Sequence, residues 1–161
     1  MTMTKRLDKL HTYKLTTEWT GNTGIGTATY RSYERSVTVQ ASNKVDILCT
    51  SDTAFNSDPS KHNPEELLLA AISSCHLLWY LHLCSEAGIV VVTYTDHATA
   101  TMTETSDGGG RFTEAILHPK VTVKEESMIE KAQHLHERAN ELCYIANSCN
   151  FPVLHKATVT C

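Results

Sequence analysis

The chain has 161 residues, enough for one domain or for two small lobes that share a core. Hydrophobic residues at 41% and charged residues at 20% are ordinary for a globular protein. A net charge of −4 with neutral histidines supplies no field that favours nucleic acid or an anionic membrane, so neither is expected as a partner.

Met1 to Lys9 carries Lys5 and Arg6 with no apolar run behind them, and does not read as a secretory signal. Tyr13 to Gln40 alternates like strands, with Gly21, Gly24 and Gly26 marking a turn between two of them. Lys44 to Cys49 predicts a third short strand, and the polar stretch Thr50 to His62 predicts a loop. Asn63-Pro64-Glu65-Glu66 opens a helix: Asn63 suits the cap, Pro64 the first helical position, and the carboxylates favour the positive end of the dipole. The helix should run to about Ala87, with Gly88 as its stop.

Its interior is apolar nearly all round, from Leu67 to Leu83, broken only by Ser73, Ser74, His76 and His82. That run is shorter than the roughly 20 apolar residues of a membrane span, so it reads as a buried helix of a cytoplasmic protein. A helix without a solvated face belongs inside something larger, and a second subunit is the economical cover. Ile89 to Glu104 predicts a long strand, Asp107-Gly108-Gly109-Gly110 a hairpin turn, and Arg111 to Val123 the returning strand. A second helix follows from Glu125 to about Asn147, with Ser127 and Glu130 in capping-box spacing. Pro152 to Thr160 closes the chain as a strand. The order β-β-β-α-β-β-α-β indicates an α+β fold with sheets wrapped about the central helix.

The chemistry turns on Cys49, Cys75, Cys84, Cys143, Cys149 and Cys161. A chain long enough to bury a core without staples, and without an export signal, suits free or catalytic thiols better than a disulfide framework. Cys75 lies mid-helix, roughly 15 Å from the helix N-terminus at 1.5 Å per residue, so the dipole does not activate it. A reactive Cys75 therefore needs a cation from elsewhere, and Arg31 and Arg35 in Tyr30-Arg31-Ser32-Tyr33-Glu34-Arg35 are the candidates. Glu65 is a carboxylate placed to align such an arginine. Either Cys143 or Cys149 would serve to resolve a sulfenic acid on Cys75 as a disulfide. Neither spacing suits a zinc site, and His76 points about 100° away from Cys75 on the helix, so no thiol–imidazole dyad forms. His134 and His136 fall on different helix faces. The pattern Gly21-x-x-Gly24-x-Gly26 leads into a strand, not a helix, and is no phosphate loop. No cofactor is called for.

Asn63-Pro64-Glu65-Glu66-Leu67 followed by Ala70-Ala71-Ile72-Ser73-Ser74-Cys75 resembles the signature of the osmotically inducible OsmC and organic hydroperoxide resistance family. Leu142-Cys143-Tyr144-Ile145-Ala146-Asn147-Ser148 is similar to its second cysteine motif, with Tyr144 where the family usually has proline. The resemblance implies a single OsmC-like domain over residues 1–161, an interlocked homodimer and active sites at the subunit interface. It further implies a peroxidatic Cys75, a resolving Cys143, and Glu65 paired with the activating arginine. The implied activity is thiol-dependent reduction of organic hydroperoxides, with a dithiol such as a lipoylated protein as reductant. Many relatives carry that arginine after an Asp-x-Ala-Phe stretch; here Asp52-Thr53-Ala54-Phe55 is followed by Asn56. This leaves as alternative a non-enzymatic redox-sensing or hydrophobic-ligand-binding dimer with weak peroxidase chemistry.

Overall fold

A computed structural model describes residues 9–52 and 57–161. The fold is α+β, and the chain falls into two compact units, Met1–Pro64 and Glu65–Cys161.

The first unit holds an antiparallel sheet of β1 (Thr16–Trp19), β2 (Val37–Gln40) and β3 (Ile47–Cys49), in that order. Thr17 lies opposite Val39, and Val37 opposite Cys49. The strands predicted to fill Tyr13 to Gln40 are much shorter: past Trp19 and Val37 the pairing thins to a bridge between Asn22 and Tyr33, and residues 23–32 leave it altogether. Side chains replace ladder bonds there. Asn22 Oδ1 accepts from the N–H groups of Gly24 and Gly26 at 2.9 and 3.0 Å, and both glycines take positive φ, 119° and 57°. Ser32 Oγ accepts from the Thr29 N–H at 3.0 Å and donates to the Gly26 carbonyl at 2.9 Å. Arg31 and Arg35 consequently stand in a bonded loop and not on a strand. Gly21 is required for a different reason: a Cβ there would lie 1.9 Å from the Glu34 carbonyl oxygen.

The second unit begins with α1 (Pro64–Glu86), which ends as the sequence predicts. Gly88 takes φ 72°, and the Ile89 N–H closes onto the Cys84 carbonyl at 2.9 Å. Three long strands then run beneath the helix, and each is broken once. They are β4 (Val91–Asp96) with β5 (Thr99–Glu104), β6 (Gly110–Leu117) with β7 (Pro119–Val123), and β8 (Val153–His155) with β9 (Thr158–Thr160). The result is two three-stranded sheets, β5-β6-β8 and β4-β7-β9, in place of unbroken strands. The hairpin is antiparallel, and the last chain segment joins it in parallel, with Ala115 opposite Val153 and Val121 opposite Val159.

The breaks have local causes. Pro119 has no N–H to carry the ladder onward, so it can only open a new strand. Asp96 takes over at that point, accepting from the His118 N–H at 2.7 Å and from the Ser73 hydroxyl of α1 at 2.5 Å. The Lys156 N–H turns to the Leu117 carbonyl at 2.8 Å. Each half-sheet has its own apolar cluster. Ile72, Ala115, Leu117 and Val153 fill one; Tyr80, Cys84, Val121, Val123 and Ala139 belong to the other.

The second helix, α2, spans Ile129–Leu142, shorter than the predicted Glu125 to Asn147. A 3-10 turn over Glu126–Met128 leads into it, and Ser127 lies inside that turn, so the predicted capping box does not form. At the other end Cys143 is extended, with φ −66° and ψ 108°, before a separate 3-10 turn over Ala146–Ser148.

Only one stripe of α1 is buried: Ile72, His76, Tyr80 and Cys84, spaced four apart. The all-round burial expected of this helix is not supplied by a single chain, since Leu78 is 65% exposed. At 23 residues α1 is also long and apolar enough to cross a membrane, so length does not argue against a span. On its covered side the helix is held by polar bonds, Ser73 to β4 and His76 to α2.

Asp96→Ala should cost about 2–3 kcal/mol in urea unfolding, because the His118 N–H loses a charged acceptor. Ser73→Ala, which spares that N–H, should cost about 1 kcal/mol. Equal losses would show that the helix bond, not the strand break, carries Asp96's contribution.

Candidate active site

Helix α1 presents Cys75 beside its buried stripe, half-buried, one residue before the fully buried His76. Cys143 is fully buried at the end of α2, where the chain leaves the helix. The two thiols are near neighbours, each within the other's electrostatic reach, brought together by the packing of the second unit. Burial, reinforced by the neighbouring Cys75 thiol, pushes the Cys143 thiol up to about 11; the Ala146 N–H, which donates to Cys143 Sγ at 3.4 Å, opposes the rise. Near neutral pH Cys143 is therefore a protonated thiol and Cys75 the more accessible sulfur.

Cys149 is half-buried among Ile72, Leu117 and their neighbours, and its thiol donates to the Ile145 carbonyl at 3.3 Å. Of the two cysteines the sequence left open, Cys143 is the one whose thiol feels Cys75. Cys49 and Cys84 are buried and Cys161 is exposed.

Glu65 lies in the first turn of α1, and its Oε2 atom is buried without a hydrogen-bond partner. In the first unit, Arg35 is half-buried with its guanidinium over the rings of Tyr30 and Tyr33, at 4.5 and 5.0 Å. Arg35 Nη2 is likewise buried and without a partner, whereas Arg31 is exposed. Both arginines line a polar cavity of about 410 Å³ with Tyr33, Ser36, Thr50 and Ser57. Asn56, the departure that stood where relatives carry arginine, lies outside the described residues.

Around the thiols, Trp79 lies one turn past Cys75 and meets Tyr144, the residue after Cys143, edge to face at 5.5 Å. His82 packs against the other side of Trp79 at 5.7 Å.

A buried polar cluster lies next to this site; His76 suits a hydrogen-bonded histidine of the helix interior, but its partner was not evident from the sequence. His76 Nε2 and His136 Nδ1 lie 3.0 Å apart, with ring planes within 4° and centroids 5.3 Å apart. That centroid separation is close to the N···N distance plus a ring radius on each side, so the rings meet edge to edge in one plane. Tyr80 stacks on His136 at 3.9 Å, and His155 lies 5.7 Å from His76. The outer nitrogens His76 Nδ1 and His136 Nε2, and the hydroxyls of Tyr80 and Tyr94, are buried without partners. The only signal available was helical spacing, since His76 and Tyr80 are one turn apart and His136 lies on the apolar side of α2. No group of three or more His, Cys, Asp or Glu side chains among the described residues is arranged to hold a metal.

The α+β fold thus carries a half-buried thiol on its apolar central helix, close to a buried second thiol at the end of the next helix. The sequence profile of the OsmC-like protein family matches residues 57–156, and the chain belongs to that family. An OsmC-like protein of unknown function from Vibrio cholerae shares 25% identity at a TM-score of 0.82, covering 92% of this chain and 100% of that one. An organic hydroperoxide resistance protein from Elizabethkingia anophelis, solved with thiocyanate bound, shares 24% identity at a TM-score of 0.67, covering 96% and 99%. The organic hydroperoxide resistance protein of Bacillus subtilis shares 21% identity at a TM-score of 0.62, covering 93% and 100%. No curated protein sequence matches the chain.

The histidine pair makes stability depend on pH. Burial, with His155 nearby adding and Asp96 opposing, holds His76 down to about 4. Burial, with His76 and His155 adding, holds His136 down to about 3. Both lie below the ordinary value of 6.5, so the unfolded chain binds more protons between those limits. The stability they contribute is complete above about 6.5 and is lost as pH falls toward 4 and 3. The slope should approach about 1.4 kcal/mol per pH unit for each histidine. Urea unfolding from pH 7 to 4.5 should show this fall, and the double variant His76→Leu, His136→Phe should flatten it. An unchanged slope in the double variant would place the acid sensitivity elsewhere.

Proposed function

We propose that the chain is a cysteine-based peroxidase that reduces organic hydroperoxides to alcohols. The observation that carries this reading is the close pairing of a half-buried Cys75 with a buried, protonated Cys143. Membership in the OsmC-like family and likeness to organic hydroperoxide resistance proteins support it.

In the proposed cycle the Cys75 thiolate attacks the distal oxygen of the hydroperoxide. The O–O bond breaks, the alkoxide takes a proton and leaves as the alcohol, and Cys75 becomes a sulfenic acid. The Cys143 sulfur then attacks the Cys75 sulfur. Hydroxide leaves and combines with the Cys143 proton as water, and a disulfide remains. An external dithiol returns two electrons and two protons; a lipoyl group on a carrier protein has the required chemistry. Cys143 suits the second role because burial keeps it from reacting with peroxide first, while contact makes its attack intramolecular.

Arg35 is the proposed activating cation, and Glu65 its aligning partner. Each is a charged group with a buried atom that has no partner, and the two are of opposite sign. Such atoms are costly to leave unmet. Arg31, exposed, carries no such requirement.

The homodimer belongs to the same proposal. Leu78 and Leu81 stand exposed along the uncovered side of α1, and the whole of β1 is exposed. A cytoplasmic location suits free thiols.

Rapid-mixing kinetics with an alkyl hydroperoxide test the chemistry. Cys75→Ser should abolish reduction, whereas Cys143→Ser should give one turnover and a sulfenic acid that dimedone traps. In the parent protein, closure of the disulfide should quicken about tenfold per pH unit toward the Cys143 value of about 11. Arg35→Met should slow the first step about tenfold or more at pH 7 and move its pH midpoint upward, since thiolate loses a counter-charge. Arg31→Met should do neither, and Glu65→Gln should slow the step less than Arg35→Met. A Cys75→Ser protein that keeps its activity would end the peroxidase reading.

Sedimentation at micromolar concentration should give a dimer, burying well over the roughly 2,000 Å² at which obligate interfaces begin. A monomer there would leave α1 half uncovered in solution and sink that part of the proposal.

A further inference from the structure

Beside the thiol pair, three aromatic rings are set at steep angles to one another. The Trp79 ring is met by Tyr144 at 90° and by His82 at 76°, with centroid distances of 5.5 and 5.7 Å. The placement follows from the chain. Trp79 is four residues after Cys75 on α1, and His82 three further, so both lie on the flank that carries the thiol. Tyr144 directly follows Cys143, where resembling sequences have proline. Each cysteine of the pair thus lies within one helical turn or one residue, along the chain, of a member of the Trp79–Tyr144 contact.

The rings do not close on themselves. Tyr144 is 66% exposed although its edge is held against Trp79, and His82 is exposed. A shallow cavity of about 310 Å³, lined by Leu78, Trp79 and His82, opens at this place. A perpendicular aromatic pair presents one ring face and one ring edge at a corner. That corner is complementary to a third aromatic ring, which can stack on one member while meeting the edge of the other. A linear alkyl chain gains contact area from such a corner but none of the quadrupolar fit.

We propose that Trp79 and Tyr144 form a specificity-determining corner that receives an aryl group attached to the hydroperoxide, so that the chain favours aryl-bearing hydroperoxides over linear ones. The inference rests on the peroxidase reading above and names the substrate class of that site. Tyr144 acts by contact with the organic group; it takes no part in the O–O cleavage.

The test compares kcat/KM for cumene hydroperoxide and for 1-octyl hydroperoxide in the parent protein, Tyr144→Leu and Tyr144→Phe. The cumene-to-octyl ratio should exceed one in the parent, fall about three- to tenfold in Y144L, and be restored in Y144F, which keeps the ring. Y144L alters a mostly exposed side chain, and a circular dichroism melt checks that it folds. A second arm needs no turnover. In a Trp19→Phe background Trp79 is the remaining tryptophan, and its emission should respond saturably to cumyl alcohol and far more weakly to 1-octanol. A parent protein that turns over both hydroperoxides with a ratio unchanged in Y144L, and no selective response to cumyl alcohol, would overturn the aryl corner and leave the peroxidase reading standing. Selective cumyl alcohol binding by a protein that reduces neither hydroperoxide would overturn the peroxidase reading and leave the corner as an aryl-binding site.

Discussion

Helix α1 is apolar on every side, yet the chain covers it along one stripe, Ile72, His76, Tyr80 and Cys84. The rest of the second unit is arranged around that partial cover. A stripe spaced four apart drifts slowly around a helix, so its two ends face different directions. One continuous flat sheet would not follow it. The sheet instead breaks at Asp96 and Pro119, giving each half its own apolar cluster, with Ile72 under one and Tyr80 and Cys84 under the other. His76 falls between the clusters, opposite the break. The polar bonds of the core collect there, where two apolar surfaces fail to meet.

This placement also explains where the two thiols sit. Cys75 is next to the covered stripe but not in it, which leaves its sulfur reachable while the backbone around it is fixed. Cys143 arrives from the other helix at the point where α2 stops, fully covered, with the Ala146 N–H turned back onto its sulfur. Two cysteines of the same residue type are thereby separated into an accessible one and a protonated, sheltered one.

Much of this was legible in the sequence, and the misses share a cause. Helix α1 could be bounded to within a residue at each end because Pro64 and Gly88 act locally, through a fixed φ and a positive φ. The cysteines stood out through the motifs around them. Ser127 and Glu130 had the spacing of a capping box, but the chain enters α2 through a 3-10 turn, and spacing cannot report the turn type. The strand breaks at Asp96 and His118 depend on a hydroxyl 23 residues away on a helix, and no local pattern records that bond. The loop of residues 20–36 alternated like a strand, while Asn22 and Ser32 supplied side-chain bonds that outcompeted the ladder. Arg35 was one of two equal candidates in the sequence. It is distinguished from Arg31 only by its seat between Tyr30 and Tyr33 and by the unmet Nη2 atom.

The His76–His136 pair joins two helices that no local pattern links, and its cost is informative. An apolar pair of similar size at the same place would avoid buried nitrogens without partners, and would not weaken in acid. The imidazoles hold the middle of α1 against α2 by one in-plane hydrogen bond, which fixes the rotation of each helix about its axis. Apolar side chains at this junction would leave the Ser73–Asp96 bond to hold the rotation of α1, and nothing polar to set α1 against α2. Cys75 follows α1 and Cys143 follows α2 in that rotation. A bond seven residues before Cys143 and one residue after Cys75 thus sets the angle at which the two sulfurs meet, and the core accepts an acid-sensitive pair in exchange for a defined thiol geometry.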